Sequence, residues 1–413
     1  MSVDDGYDSD ILLSPFQRSL IETTRELNDY NHALEQGNME EADIIEQHCF
    51  RGVEDGGWKI QIWEEVYEEE EEVITEEDIL GDDMTRRCWR DLMEALRNHD
   101  PSRGVDSIFI AGIELSVVML DTFLPAIAHL SDVTLNGNGF RKDGLLSLIN
   151  FIEGNTSWAK FQISLSKEVE VLDMEIAQRF SDVLKNHTTL QQFNFGCYNL
   201  GERPDILCTM LDGIKNMNKV SFWHLELTSQ GRHMANLVKT NPTLRELSAG
   251  CNCFNDNDAN AFAHSLKSNT NLKYLSLMTQ FGRLTEVGGE ALLKSVFDYS
   301  SLDAVFDSNH TCKVEYDGMG EVQERLNGLH EIGLNRKCII KYKILLALGL
   351  LGEENGCFNV GLLNDISVQL TPKVLNYVQL DDQLIPSVSR GSIVSLNNVY
   401  QVMRNCVAPL LEG

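Results

Sequence analysis

The chain has 413 residues, of which 43% are hydrophobic and 23% charged, and its formal net charge is −29 at pH 7. This length is enough for one large core or two domains, and the apolar fraction is ordinary for a globular protein. An acidic surface repels phosphates, so we expect no nucleic acid partner. The longest apolar stretch, residues 338–351, contains Lys341 and Lys343 and is too short to span a bilayer, so we expect no membrane partner.

The N-terminal 59 residues are predicted to form an acidic helical segment. Ser14 followed by Pro15 is typical of a helix start, and the helix is expected to cover residues 14–36. A second helical stretch is expected from Met39 to about His48.

Residues 60–85 are predicted to be an acidic linker. They contain no Lys or Arg and include a run of glutamates from Glu68 to Glu72. A segment of this composition repels itself and stays solvated. An acidic tail that docks a basic partner is the alternative interpretation.

A strand-like pattern then recurs every 25 to 32 residues. Each copy has apolar residues at its first, fourth and sixth positions, as in Leu130, Val133 and Leu135, and a helical pattern follows. The copies begin at Val105, Leu130, Trp158, Leu190, Met217, Leu244, Leu272 and Leu302. Such alternation predicts strands with one buried face, and such a period predicts a solenoid whose neighbouring units cover each other.

The two ends of this solenoid are predicted to carry helical caps. Trp89, Leu92, Met93 and Leu96 form an amphipathic stripe before the first strand and are expected to cover the open end of the sheet. The solenoid with this capping helix is therefore assigned to residues 86–310. The pattern fades after Leu302, so we expect an excursion loop over residues 311–330 and a helical C-terminal cap over residues 331–413.

The repeat resembles the leucine-rich-repeat family, specifically its ribonuclease-inhibitor-like subtype with a true helix in each repeat. This resemblance implies an α/β horseshoe with a parallel inner sheet and outer helices. The family usually places Asn or Cys three residues after the last apolar strand residue, and here only Asn138 and Asn252 fit. The tail, including Pro372-Lys373-Val374-Leu375, is similar to uncharacterised leucine-rich-repeat proteins of diatoms, and this resemblance implies no known activity.

Motifs for catalysis or cofactor binding are missing from the sequence, so we predict a non-enzymatic protein with no cofactor. There is no P-loop, dinucleotide fingerprint, His-Glu-x-x-His or Gly-x-Ser-x-Gly. Gly137-Asn138-Gly139 lacks the Lys-Ser/Thr end of a phosphate loop and is interpreted as a repeat turn. Cys197 and Cys251 fall two repeats apart, about 10 Å, which is too far for a shared zinc ion, so no metal site is predicted. Asn255 to Asp258 lack the Gly and Glu of a calcium loop and favour helix capping.

The residues between the buried strand positions should form the exposed face of the sheet. Most of them are small and polar, but large side chains occur toward the C-terminal half of this face. Aromatic residues among small polar ones are typical of interface hot spots. Trp223 is expected to be exposed, whereas Phe306 is expected to be covered. The predicted protein-binding residues are Lys219, Trp223, His224, Glu246, Tyr274 and Met278.

The sequence thus predicts a scaffold that binds a protein partner through the concave face of a solenoid. Two alternatives remain. Arg141 follows a strand and resembles in position the catalytic Arg of leucine-rich-repeat GTPase activators, and the inner face could instead block an enzyme's active site. The acidic start, Met1 to Asp10, does not look like a signal peptide, and ten cysteines are irregularly spaced. We therefore expect an intracellular protein, cytoplasmic or nuclear.

Overall fold

A computed structural model describes residues 13–42, 45, 51–52, 58–62, 74–103, 105–165, 172–197, 200, 203–225, 227, 230–278 and 284–350. The glutamate run 68–72, the tail beyond residue 350 and half of the helical stretch expected over 39–48 lie outside these residues. The chain divides into two compact units, residues 1–226 (unit 1) and residues 227–413 (unit 2). Within the described ranges, every helix is too short or too polar to traverse a lipid bilayer.

Unit 1 alternates helices with parallel strands. Its helices are α1 (Pro15–Glu35), α2 (Glu76–Leu80), α3 (Asp83–Asn98), α4 (Val117–Ile127), α5 (Lys142–Gly154), α6 (Met174–Asn186) and α7 (Pro204–Gly213), with one 3₁₀ turn at Pro101–Arg103. Its strands are β1 (Arg51–Gly52), β2 (Trp58–Ile62), β3 (Ser107–Ala111), β4 (Asp132–Asn138), β5 (Lys160–Leu165), β6 (Gln192–Gly196) and β7 (Lys219–Trp223). Strand β1 pairs antiparallel with β2, and β2 to β7 pair in parallel in chain order.

Unit 2 continues the alternation. Its helices are α8 (Gly231–Thr240), α9 (Asp256–Ser268), α10 (Glu286–Val296), α11 (Leu302–Asp307), α12 (Glu321–Glu331) and α13 (Arg336–Leu350). Its strands β8 (Glu246–Ser248), β9 (Tyr274–Leu277) and β10 (Lys313–Tyr316) pair in parallel. Parallel strands that alternate with helices confirm the predicted α/β repeat.

The strand register places the predicted core residues in columns. In unit 1, Phe161 of β5 lies opposite Phe193 of β6, and Phe193 lies opposite Val220 of β7. The rings of Phe161 and Phe193 stack with centroids 6.2 Å apart, and both are fully buried. A second column contains Ile163, Phe195 and Phe222. The seven strands predicted between Val105 and Leu272 are therefore confirmed.

The eighth predicted strand is wrong. Leu302 begins helix α11, which Ser301 caps by accepting a hydrogen bond from the Ala304 amide at 3.0 Å. A spacing of three between Leu302 and Val305 suits one helical turn as well as a repeat strand, and here both residues are buried in the helix. Strand β10 pairs with β9 instead, and it lies, with most of α12, in residues 311–330, where an excursion loop was expected.

The N-terminal end of the sheet also differs from the prediction. Ile60 and Ile62 are fully buried in β2, at the start of the expected linker, and α2 and the start of α3 occupy its later part. Burial of two isoleucines against β3 outweighs the acidic composition of the segment. Helix α1 begins with Ser14 as its N-cap, as predicted. The stripe of α3 is buried as predicted, but α3 packs on α1, α2 and α4, while the sheet continues past β3 into β2 and β1.

A set of asparagines closes the turns between helices and strands. These turn asparagines are Asn155, Asn241, Asn269 and Asn309. Asn269 shows the pattern, because its Oδ1 accepts hydrogen bonds from the amides of Asn271 and Leu272, both at 2.8 Å. Its Nδ2 donates to the carbonyl of Val238, near the end of α8, the helix of the preceding repeat. The side chain therefore shapes its own turn and ties it to the repeat before.

The same tie recurs in both units. Asn155 donates to the Ala128 carbonyl at 2.8 Å, and Asn309 donates to the Leu266 carbonyl at 2.8 Å. His187 takes the equivalent place in another turn, where Nδ1 accepts the Leu190 amide at 3.0 Å and Nε2 lies 3.1 Å from the Ile152 carbonyl. Asn138 and Asn252, the two residues that fit the family position, are fully buried and bond to turn backbone as well.

A second core in unit 2 surrounds a buried lysine. Phe297, Leu302, Ile340 and Ile344 belong to this core, and Phe306 packs against it, which accounts for the expected covering of Phe306. Lys343 is 1% exposed, and its Nζ donates to the carbonyls of Val296 and Asn309. Burial lowers the pKa of Lys343 to about 7.

Removing one turn asparagine should destabilise the protein although no apolar contact is lost. In Asn269→Ala, two amides and one carbonyl lose a buried partner, so we expect the free energy of unfolding to fall by about 1–3 kcal/mol. Asn236→Ala, at an exposed position of α8, is the control and should change it by less than about 0.5 kcal/mol. Urea unfolding followed by circular dichroism measures the free energy of unfolding of both variants. Equal effects of the two substitutions would contradict the role assigned to the Asn269 hydrogen bonds.

Lys343 should make stability depend on pH on the alkaline side. Between about pH 7 and pH 10 the unfolded chain holds a proton on Lys343 that the folded chain has released. The free energy of unfolding should therefore rise with pH over this range, by at most about 1.4 kcal/mol per pH unit from this group. Lys343→Met should lose that part of the slope, and identical slopes in the two proteins would refute the assignment.

Candidate binding surface

The outward side of strands β5 to β7 forms a polar surface on unit 1. This unit 1 strand face consists of the residues between the core columns, namely Lys160, Gln162, Ser164, Gln192, Asn194, Gly196, Lys219, Ser221 and Trp223. Most of these residues are half-buried, and Lys219 is exposed, whereas the alternating residues are buried. Both faces of a parallel sheet are usually covered, so a partly open face is a distinctive feature.

The N-terminal end of this side of the sheet is closed by an ion pair. Lys59 Nζ lies 3.3 Å from Asp132 Oδ2 and donates to Thr134 Oγ1 at 3.1 Å. Asp132 and Thr134 are both buried. The accessible part of this side of the sheet in unit 1 therefore lies on β5 to β7.

The indole of Trp223 lies close to a glycine of the neighbouring strand. Gly196 pairs with Trp223, and a Cβ atom at Gly196 would lie only 2.6 Å from the indole Nε1 and 2.8 Å from Cε2. The absence of a side chain on β6 thus makes room for the ring. Trp223 is half-buried, whereas the sequence predicts that it is exposed.

His224 directly follows β7 and has a backbone conformation that disfavours most side chains. Its φ is 56°, in the left-handed region, and Cys251 in unit 2 has φ 54°. Residues other than glycine adopt this region rarely, and such positions concentrate at functional sites. Burial lowers the pKa of His224, so the ring is neutral at pH 7. It adds a half-buried polar group next to Trp223.

Unit 2 carries the other three predicted binding residues. Glu246 of β8 lies opposite Tyr274 of β9, and both are half-buried. Met278 follows β9 and is 43% exposed. These three residues with Ser248 and Gly250 are called the unit 2 strand face.

Tyr274 is held by charged residues of β10. Its hydroxyl donates to the carboxylate of Glu315, and Lys313 Nζ lies 5.4 Å from the centre of its ring. Lys313 also lies 2.6 Å from Glu315 Oε1. Burial, with a further contribution from Glu315, raises the pKa of Tyr274. Sequence reasoning missed this cluster because it placed the last strand at Leu302. The spacing of turn asparagines could have identified β10, because Asn309 precedes Cys312 by three residues, just as Asn269 precedes Leu272.

The other candidate motifs have structural roles. Arg141 precedes α5, is largely exposed, and its Nε lies 2.9 Å from Glu114 Oε1. Gly137 has φ 60° and lies with Asn138 at the end of β4, where the pairing with β5 shifts, so Gly137-Asn138-Gly139 is an irregular strand end and not the predicted repeat turn. Asn255 caps α9 together with Asp258, which confirms the predicted capping.

Metal binding has no support among the residues that the structure describes. No group of three His, Cys, Asp or Glu side chains there could hold an ion. Burial raises the pKa of Cys197 to about 12, and burial also raises the pKa of Cys251. These thiols are therefore protonated at neutral pH and are poor ligands and nucleophiles.

Comparison of the chain with protein-family models and with curated proteins found no match. Function must therefore be inferred from the chemistry of the strand faces, because one fold can host many unrelated activities.

The contact of Trp223 with Gly196 can be tested by adding one methyl group. Gly196→Ala should displace the indole and lower the free energy of unfolding by about 1–3 kcal/mol. The same substitution in a Trp223→Ala background should cost much less, because the ring that it meets is gone. Gly250→Ala is the matched control, since the nearest atom to its added Cβ is 3.7 Å away. Additive effects of Gly196→Ala and Trp223→Ala in urea unfolding would show that the two residues do not interact.

Proposed function

We propose that this protein is a non-enzymatic scaffold of the leucine-rich-repeat class that binds a protein partner through its strand faces. The observation that carries the proposal is the partly open face of a parallel sheet, with half-buried polar side chains and Trp223 on it. Repeat proteins commonly use the sheet side of stacked units to bind other proteins.

The composition of the strand faces supports a protein partner rather than a small molecule. Small polar residues such as Asn194 and Ser221 leave room for a partner's backbone, while a half-buried indole offers a rigid apolar surface. Trp and Tyr are enriched at interface hot spots because they bury a large area at little entropic cost. Met278 adds an exposed, flexible apolar side chain that adapts to a partner's shape.

The location of the protein is part of the same proposal. Thiols such as Cys253 and Cys312 are buried and form no disulfide in the described residues, as is usual in a reducing compartment. We therefore propose an intracellular protein.

Partner binding should depend on Met278 but not on an equally apolar residue elsewhere in unit 2. A partner is first identified by crosslinking and mass spectrometry in the native cell, and its affinity is then measured with purified proteins. Met278→Glu should weaken binding at least about tenfold, the loss expected of a hot spot. Val287→Glu, on the helix side at a position 63% exposed, is the control and should leave the affinity unchanged.

Equal effects of Met278→Glu and Val287→Glu would contradict binding through the strand face. Trp223→Ala provides the corresponding test on unit 1, with thermal unfolding as a check that the fold survives. The rival GTPase activator is tested separately by comparing GTP hydrolysis of small GTPases with the wild-type chain and with Arg141→Ala. Acceleration that Arg141→Ala abolishes would replace the scaffold proposal.

A further inference from the structure

Unit 2 contains a cleft at the junction of β10 and the helices that follow it. The cleft has a volume of about 340 Å³, which is in the range of small-molecule sites. Its walls come from the turn before β9, the turn before β10, the end of α12 and the start of α13. The residues used below are Lys273, His310, Lys313, His330, Glu331 and Arg336.

The cleft is positively charged although the chain as a whole is strongly acidic. Three cations line it, namely Lys273, Lys313 and Arg336, against the single carboxylate of Glu331. Glu331 Oε1 lies 2.8 Å from Lys313 Nζ, so part of that lysine's charge is already neutralised. Lys273 and Arg336 are exposed at the cleft and form no ion pair with the residues that the structure describes. Two cations therefore remain available to an anionic ligand.

The start of α13 adds to the positive potential of the cleft. The helix begins at Arg336, and residues on either side of that start line the cleft. The first amides of a helix lack intrahelical partners and carry a partial positive charge. Asn335 caps the Cys338 amide at 3.1 Å, which leaves earlier amides of the first turn for other acceptors.

A buried histidine in the cleft wall lacks one hydrogen-bond partner. His310 is 2% exposed, and its Nε2 lies 3.2 Å from the Phe306 carbonyl, so this nitrogen carries the hydrogen. Its Nδ1 is buried and has no hydrogen-bond partner among the described residues. Buried polar atoms are almost always paired, so an unpaired one in the wall of a cleft points to a missing ligand group.

Burial keeps both histidines of the cleft neutral, and neighbouring cations add to this effect. Burial lowers the pKa of His310 to about 3, with further lowering by Lys343 and Arg336. Burial lowers the pKa of His330 to about 4, helped by Lys343, Lys273 and Lys313. Among the described residues, Glu331 is the one acidic group in the wall, and Glu315 lies beside Lys313 on β10. Without a ligand, therefore, His310 Nδ1 presents a lone pair and can only accept a hydrogen bond.

We propose that this cleft binds a phosphate monoester of a small molecule and takes up one proton on binding at neutral pH. The cations fix the phosphate oxygens, and the proton lies between one of these oxygens and His310 Nδ1. Either a phosphate hydroxyl donates to the neutral imidazole, or an imidazolium donates to the dianion. Both forms hold the same number of protons, and no covalent bond is made or broken.

Proton uptake follows from the protonation states of the free ligand and of the free protein. The second pKa of a phosphate monoester is about 6, so the free ligand is mainly a dianion at pH 7.5. The free histidine is neutral, so neither partner brings the proton that the hydrogen bond to Nδ1 needs. Binding should therefore draw it from solvent, and affinity should increase as the pH falls toward 6.

Calorimetric titration of the full chain with phenyl phosphate tests the proposal. At pH 7.5 we expect a dissociation constant of about 1 mM or below. Titrations in two buffers of different ionisation enthalpy should show uptake of close to one proton, and His310→Gln should abolish it. Lys273→Gln and Arg336→Gln should each weaken binding several-fold, because each removes an exposed cation of the cleft.

Lys267→Gln is the matched control, since it removes an exposed cation of α9 that does not line the cleft. Thermal unfolding of each variant shows that the fold is retained, and Lys273→Gln keeps the test valid if His310→Gln does not fold. No saturable binding, no proton uptake, or equal weakening by Lys267→Gln would overturn the proposal. Tighter binding of inorganic phosphate than of phenyl phosphate would overturn the monoester assignment.

Discussion

The structure depends on hydrogen bonds that cross from one strand–helix repeat to the next. Apolar stacking of Phe161 on Phe193 holds neighbouring repeats together but is non-directional, so it tolerates small shifts along the strand. A turn asparagine removes that freedom. Its Oδ1 accepts hydrogen bonds within its own turn, and its Nδ2 donates to a carbonyl near the end of the helix of the preceding repeat. Register along each sheet is thus set by polar atoms at its edge and energy by the apolar columns within it.

This division of roles explains why the outward faces of the strands vary. Once the columns and the turn asparagines fix the strands, the alternate positions are not needed for folding. They carry small polar residues, charges or a tryptophan, each accommodated locally, as the indole of Trp223 is by Gly196. At the N-terminal end, Lys59 and Asp132 use the same positions for a partly buried ion pair. Outward positions are therefore free to specialise, which is the basis for assigning a binding role to them.

The sequence predicts the repeated part of the fold well because two signals agree there. Alternation such as Phe193 and Phe195 coincides with a regular period, and neither signal alone would suffice. Prediction fails where the signals separate. Leu302 and Val305 keep the spacing but belong to a helix, and Val314 and Tyr316 keep the alternation at a longer interval. Asn309 precedes β10, the last strand in the described residues, so at this end of the repeat the turn asparagine identifies the strand where leucine spacing does not.

Binding residues were harder to predict than core residues for a related reason. The exposure of a side chain on the sheet depends on contacts between strands, and no pattern within one strand encodes these contacts. Trp223 is an example, because the glycine that makes room for its ring, Gly196, is 27 residues away in the sequence.

The cleft of unit 2 shows the same limit in stronger form. His310 precedes β10 and His330 lies near the end of α12, and neither belongs to a recognisable motif. They meet only because β10 follows Asn309 and α12 then returns over the strand end. A positive site in a chain of net charge −29 also runs against composition, since bulk charge describes the average field at the surface and not the field inside one cleft. Local geometry therefore has to be known before such a site can be inferred.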